Sequence, residues 1–414
     1  MKMVLSVYQL LSLVYKLAPK VNNKQLEQLD QWFSEITKNL PNLTKPQAFV
    51  LALWSFGMTI VKSSGLTSVV NILAPMLTKS KDEKILKQKR DSLRQQLRQW
   101  YYDAIDKTGD KRSEINVETC FPFLLKWIMS LWKSKQLALA LDATTLADCF
   151  TVLVVSVLYR GCAIPVAWTI LKGNEKQSWR REWLRMLRLL KPGISDDIMV
   201  IVLSDRGIYA TWLFRRIKRL GWHPFMRKSV VGTFRPDCWH DFHPISSFAK
   251  NPKTNWSSEG TLFKTKDRQL KCTLLAYWDE TSKEPWFIIT DFPPETADAC
   301  WYGMRAWIEQ GFKLIKSGGL QWHHTRMRNP NRAERVWLAI SVATLWLLSV
   351  GGEADATIPE STILEITDAF SFRSFTKFTK FRITSIFRQG WNIIFMSLLL
   401  HEPLPLGCFI PEPW

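Results

Sequence analysis

Apolar residues recur at helical spacing along 5–17, 26–40, 48–61 and 66–77, with Pro and Gly between these stretches, so the chain begins as a series of amphipathic helices. Helical period continues over 84–105, and 108–114 (TGDKRSE) reads as a linker. The period then changes. Residues 136–141 (QLALAL) are a short apolar segment ending at Asp142, and 150–158 and 162–171 are β-rich runs joined by the turn Tyr159-Arg160-Gly161. An amphipathic helix over 178–190 stops at Pro192 and Gly193. After it, 198–203 (IMVIVL) is a continuous apolar run suited to a buried central strand, which ends at Ser204 and Asp205. A helix over 208–220 and a strand over 222–226 follow.

Three strands, a helix, a strand, a helix and a strand, in that order, make the ribonuclease-H-like arrangement, so the fold class is α/β with a mixed-sheet core behind an N-terminal helical domain. From 229 to 294 the composition shifts to Pro, Ser, Thr and Trp with strand candidates at 271–278 and 286–290, a mostly β insertion. Helical pattern returns at Glu295, runs to Lys316 and stops at Gly318-Gly319, and a second helix covers 333–350. The expected divisions are therefore a helical domain over 1–118, the core in two parts over 119–228 and 295–350, the insertion over 229–294 between them, and a tail over 351–414. The apolar run 336–352 is shorter than the roughly 20 residues of a membrane span and closely follows Arg332, Glu334 and Arg335, so a buried core helix is expected. The N-terminal apolar stretch is broken by Tyr8, Gln9, Tyr15 and Lys16 and lacks a convincing signal-peptide cleavage site, which makes it an ordinary helix.

Charge narrows the partner. Lys and Arg number 56 against 37 Asp and Glu, a formal charge of +19 that draws polyanions. Because the basic residues spread along the whole chain, nucleic acid is expected ahead of a membrane surface, and no membrane partner is expected. Lys84, Lys87, Lys89, Arg90, Arg94 and Arg98 share one predicted helix, which either lies along phosphates or is a solvated face. The 21 Trp residues supply planes for stacking on unpaired bases, although most are expected in the core. Seven scattered cysteines without a CxxC pair suggest neither a disulfide framework nor a zinc ribbon, and a reducing cytoplasm fits them.

Asp142 and Asp205 fall at the carboxyl ends of predicted core strands, where side chains of an open α/β sheet converge on the ligand crevice. A strand-end Asp alone can be a loop cap, whereas two on neighbouring strands point to a metal site. Carboxylate oxygens suit Mg2+, and a pair of such ions roughly 3.5–4 Å apart can activate an attacking oxygen while stabilising a leaving one. The predicted helix WYGMRAWIEQGFKLIK supplies a third carboxylate: Tyr302, Arg305, Glu309 and Lys316 lie at offsets 0, 3, 7 and 14, within a sector of roughly 100° on one helix face. The stripe reads either as a helix-stabilising ion pair on a solvent face or as an active face. In the latter Glu309 completes metal binding and the other three offer donors to flanking phosphates.

The spacing Y-(2)-R-(3)-E-(6)-K at Tyr302, Arg305, Glu309 and Lys316 resembles the signature of a large group of bacterial insertion-sequence transposases of the DDE type, matched at all four positions. The resemblance covers roughly 135–350 and includes the Asp-x-Thr step at Asp142 and Thr144 and the SDRG segment around Asp205. The 104-residue interval from Asp205 to Glu309 is long for a plain core and looks like the β insertion this group places there. The resemblance implies cut-and-paste transposition, in which metal-dependent cleavage at a transposon end frees a 3′ hydroxyl that later attacks target DNA. Implied with it are two Mg2+ ions, replaceable by Mn2+, on Asp142, Asp205 and Glu309. The implied partners are double-stranded DNA at terminal inverted repeats, target DNA, and a second copy of the chain on paired ends. The place would be the bacterial cytoplasm, on the nucleoid. Residues 1–118 would bind the ends, the tail would dimerise or touch DNA, and Tyr302, Arg305, Lys316, Arg206 and Arg227 would contact DNA. Similar enzymes often excise through a hairpin, with an aromatic side chain of the insertion receiving a flipped base. Trp286 stands where such a residue is expected, with Trp256 and Trp278 nearby, and a buried strand Trp is its other reading.

Cys238, His240 and His243 read as zinc ligands or, since no four-ligand site is visible, preferably as loop residues near DNA. His323 and His324 would touch phosphate or solvent. Phe372, Phe375, Phe378 and Phe381 alternate with Arg373, Lys377, Lys380 and Arg382 and would pack on the core or bind DNA. Two other functions remain open: a ribonuclease-H-like nuclease or resolvase that cuts without joining, and a domesticated DNA-binding protein without catalysis, against which the intact carboxylates argue.

Overall fold

A computed structural model describes residues 24–78, 80–109, 112–146, 149–173, 179–280, 282–357 and 384–414. The helix expected over 5–17 and the Phe372 to Arg382 alternation lie outside the described residues.

Strands β1 (Gln136–Leu146), β2 (Phe150–Tyr159) and β3 (Cys162–Lys172) form an antiparallel meander. Every residue of β2 is buried, as its unbroken apolar run requires. Arg160 and Gly161 close the β2–β3 hairpin with φ of 43° and 82°, the paired positive values that let a two-residue turn follow the twist of its strands. Helix α6 (Arg180–Leu190) leads to β4 (Met199–Ser204), which pairs parallel with β1, and helix α7 (Thr211–Arg219) leads to β5 (His223–Lys228), parallel with β4. The order β3-β2-β1-β4-β5 with these directions is the ribonuclease-H-like core expected from the element order.

The insertion extends that sheet. Strand β10 (Trp286–Thr290) pairs antiparallel with β5, and beyond it come β9 (Leu270–Tyr277), β8 (Asn255–Leu262), β6 (Thr233–Pro236) and β7 (His243–Pro244), ten strands in all. Pairing of β10 with β5 draws the insertion up to the end of β4, beside Asp205.

Helices α1 (Lys24–Asn39), α2 (Lys45–Val61), α3 (Leu66–Thr78), α4 (Glu83–Tyr101) and α5 (Phe121–Leu131) precede the sheet. They share one hydrophobic cluster with α9 (Pro330–Thr357). Trp32 stacks on Trp346 of α9 at 4.2 Å between ring centroids. The buried Arg335 guanidinium donates to the carbonyls of Tyr101 and Ile115 and to Asp103. Val336 to Gly352 are all buried inside the protein, which gives this apolar run its partner. Trp32, Trp54, Trp168, Trp222, Trp322, Trp337 and Trp346 are fully buried, so much of the Trp excess fills the core. Helix α10 (Ile386–Leu400) packs along α9.

Glu334 at the start of α9 ties that helix to the sheet edge, because its carboxylate accepts from the Ile170 N–H at 2.8 Å and its carbonyl from Trp168 Nε1 at 3.1 Å. Burial pushes its carboxyl up to about 7, opposed in part by the Ile170 N–H. The folded state then holds a proton that the unfolded chain has already released, so this group's contribution to stability declines as pH rises from the ordinary glutamate range through about 7 and is level above it. Glu334→Gln is expected to remove that decline from the pH profile of denaturation midpoints. An unaltered profile would assign the decline to other groups.

Candidate active site

Strands β1 and β4 run in parallel register as far as Leu141↔Ser204 and part there. The next residue on each is an aspartate, so both acids enter the gap that opens between the strands. Asp142 is not at the end of its strand as the apolar pattern suggested: β1 continues to Leu146, still paired with β2, and only its pairing with β4 has ended. The result is a more sheltered carboxylate, 11% exposed, that accepts the Ala143 N–H at 2.8 Å. Asp205 sits in the loop after β4, where Oδ1 accepts the N–H groups of Gly207 and Ile208 at 3.0 Å each while Oδ2 faces the cluster. Loop cap and cluster member are thus one residue.

Glu309 comes from an interrupted helix. The continuous helix expected over 295–316 is instead a 3-10 segment, Ala299–Arg305, then α8 (Ala306–Lys313), then a π turn, Leu314–Gly318. Three residues per 3-10 turn put Tyr302 and Arg305 on one face without the drift of an α-helix, and helix-type changes of this kind often mark functional positions. Gly311 lets α8 lie against β3, since a Cβ there would meet Ala163 Cβ at 2.9 Å and its carbonyl oxygen at 3.1 Å. Gly311→Ala is therefore expected to lift the Glu309 helix off the sheet and lower activity by about a hundredfold, as displacements near 1 Å can. Activity equal to the parent would show that this close approach does not set the position of Glu309.

The four signature residues do not form one polar stripe on solvent. The Arg305 guanidinium lies among the acids: Nη2 is 2.8 Å from Asp142 Oδ2 and 3.8 Å from Asp205 Oδ2, and Nη1 donates to Glu309. Its side chain is 16% exposed and that of Glu309 60%, so the pair with Asp142 is the sheltered one. Burial raises the Asp142 carboxyl above its ordinary range, while Arg305 and the Ala143 N–H pull it back and the neighbouring Asp205 and Glu309 charges add to the rise. Lys316 donates to Thr144 Oγ1 at 2.6 Å, two residues beyond Asp142 on the same face of β1. Burial lowers the Lys316 ammonium and the Asp142 charge opposes that. Tyr302 is buried edge-on against Trp286 at 5.3 Å, which drives its hydroxyl far above the usual phenol range.

Beside the acids opens a cleft of about 340 Å³ lined by Asp205, Arg206, Arg227, Trp286, Tyr302 and Arg305. Asp142, Asp205, Glu309, Tyr302, Arg305, Lys316, Arg206, Arg227 and Trp286 therefore lie at or next to one place. No protein-family model and no curated protein matches the chain. The structure is similar to a piggyBac transposase synaptic complex with hairpin DNA. That similarity has a TM-score of 0.39 and 11% identity, and covers 91% of this chain and 79% of that one. A likeness so distant transfers no residue roles, and the site stands on its own geometry.

Among the described residues no three His, Cys, Asp or Glu side chains close into a metal-binding group. Trp239 lies edge-on to His243 at 4.8 Å, and the zinc reading of Cys238, His240 and His243 gains no support. Where Asp142, Asp205 and Glu309 approach, a guanidinium already lies between them. Carboxylate oxygens are hard donors of the kind a divalent ion takes, and the cation they accept in this arrangement is the Arg305 guanidinium. His323 approaches the carbonyl of Lys316 in the π turn, and its ring lies tilted against that of His324 with 3.8 Å between centroids. Glu284, which the sequence did not single out, pairs with both Arg206 and Arg227. Its only sequence signal is its place two residues before Trp286.

Proposed function

We propose that the chain is a DDE-type DNA transposase that cleaves transposon ends and joins the freed 3′ hydroxyl to target DNA. The observation that carries this reading is the meeting of Asp142, Asp205 and Glu309, from two parting strands and a separate helix, around one positive charge. Two Mg2+ ions, or Mn2+ in their place, would supply Lewis-acid stabilisation of the attacking and leaving oxygens when held by these acids. Arg305 keeps the acids together in their absence and on turning aside becomes a donor for a phosphate next to the scissile bond. Arg206 and Arg227 bind phosphates along the cleft, and the Trp286 and Tyr302 pair offers an aromatic wall against which a flipped base stacks. Lys316, held by Thr144, sets a further positive charge beside Asp142.

The +19 charge supports long DNA ligands, and a homodimer on paired inverted repeats in the bacterial cytoplasm completes the reading. The test is cleavage of DNA taken from the flanks of the gene itself. Mg2+-dependent cuts at the inverted repeats, lost in Glu309→Ala, are expected, and cleavage that survives Glu309→Ala would contradict the assignment.

A further inference from the structure

We propose that Arg206, Arg227 and Glu284 form a phosphate subsite beside the carboxylate cluster, in which Glu284 holds the place of a nucleic-acid phosphate and competes with it. Glu284 lies between β9 and β10 and is paired with two arginines that line the cleft. One carboxylate oxygen is 2.7 Å from Arg227 Nη2 and the other 3.3 Å from Arg206 Nη1. Two oxygens bridging two guanidinium groups is the arrangement that the non-bridging oxygens of a phosphodiester would also make. Arg227 is fixed in the wall, with 18% of its side chain exposed, whereas Arg206 and Glu284 are 56% and 51% exposed. The carboxylate is therefore free to leave toward solvent while its main partner stays.

An exposed ion pair of this kind is weak. A phosphate that enters the cleft and meets both guanidinium groups displaces Glu284 and takes over its bonds. Trp286 and Tyr302, which line the same cleft, suit a base next to that phosphate, and Asp205 in that lining places the subsite next to the acids. Glu284 thereby lowers affinity for loosely fitting polyanions and leaves the cleft to ligands that engage both arginines. The natural ligand rests on the nucleic-acid reading above, while the subsite itself concerns phosphate chemistry alone.

Glu284→Gln keeps the side-chain shape and removes its charge. Two probes separate the questions: a short fluorescein-labelled DNA duplex followed by anisotropy, and inorganic pyrophosphate followed by calorimetry. Glu284→Gln is expected to tighten binding of both probes by about fivefold at low salt, the worth of an exposed ion pair near its upper range. The gain should vanish when the change is made on an Arg227→Gln or an Arg206→Gln background, the second being a surface change with little effect on folding. A gain that persists on both backgrounds is a general charge effect and overturns the proposal. No gain with either probe also overturns it, and duplex binding by the parent in that case leaves the nucleic-acid reading standing. A gain with pyrophosphate in a protein that binds no duplex supports the subsite and counts against the nucleic-acid reading.

Discussion

Asp142→Ala is expected to lower DNA cleavage by about three orders of magnitude or more, the largest activity loss of any single change in the site. A metal-held Lewis acid supplies several kcal/mol of transition-state stabilisation, and each ~1.4 kcal/mol is about tenfold in rate. Asp142 should matter most because it is the most sheltered of the three acids, with 11% of its side chain exposed against 34% for Asp205 and 60% for Glu309. A sheltered carboxylate meets less competition from water and holds a cation more firmly. The fold should survive, since Arg305 keeps Asp205 and Glu309 as partners. Cleavage in single-turnover conditions is the measurement, with unfolding curves as the control. A folded Asp142→Ala protein that cleaves within about tenfold of the parent would remove Asp142 from the chemistry.

Arg305→Ala is expected to act in opposite directions on stability and on metal response. Without the guanidinium Asp142 is a sheltered charge lacking its partner, and removing one member of such a pair costs about 3 kcal/mol or somewhat less where the survivor takes up a proton. Burial already holds the Asp142 carboxyl above its ordinary value, with Arg305 opposing, so loss of Arg305 raises it further. A raised acid binds its proton in the folded state first, so the variant's stability should fall as pH rises from the ordinary carboxylate range through the raised value and then level off. Mg2+ should restore stability, because the ion no longer competes with a guanidinium. The expected result is a lower midpoint of unfolding in chelator and a larger Mg2+-induced rise than in the parent. An unmoved midpoint together with an equal rise would show that Arg305 and the metal do not share the acids.

The order of core elements was legible because each has an unambiguous period. IMVIVL can be neither amphipathic helix nor half-exposed strand, and it is β4 of the structure, one residue displaced. Asp142 and Asp205 were legible because apolar strands end their parallel pairing at the first charge. The helix carrying Glu309 was legible only as a helix. It passes through 3-10, α and π turns while approaching β3 at Gly311 and packing Tyr302 against Trp286, long-range contacts that residue spacing does not encode.

The partner of Arg305 was hidden for a similar reason. Within the helix Glu309 is its natural i+4 partner, but the bond to Asp142 joins residues 163 positions apart and exists only after the sheet has formed. Glu284 was missed because a lone loop acid carries no pattern, and two arginines from different elements converge on it only in the folded chain. The Trp count pointed to base stacking and to core packing alike, and burial chose the core for just over half of them.

Joining separates a transposase from a nuclease built on the same fold. A duplex ending in a pre-cut 3′ hydroxyl, with the sequence of the gene's own flanking repeat, can be mixed with supercoiled plasmid and Mg2+ and the covalent products counted. Covalent insertion of the labelled end into plasmid is predicted, dependent on Mg2+ and absent from the Asp205→Ala protein. Nicking of the plasmid without joining, or joining that Asp205→Ala leaves intact, would contradict the account.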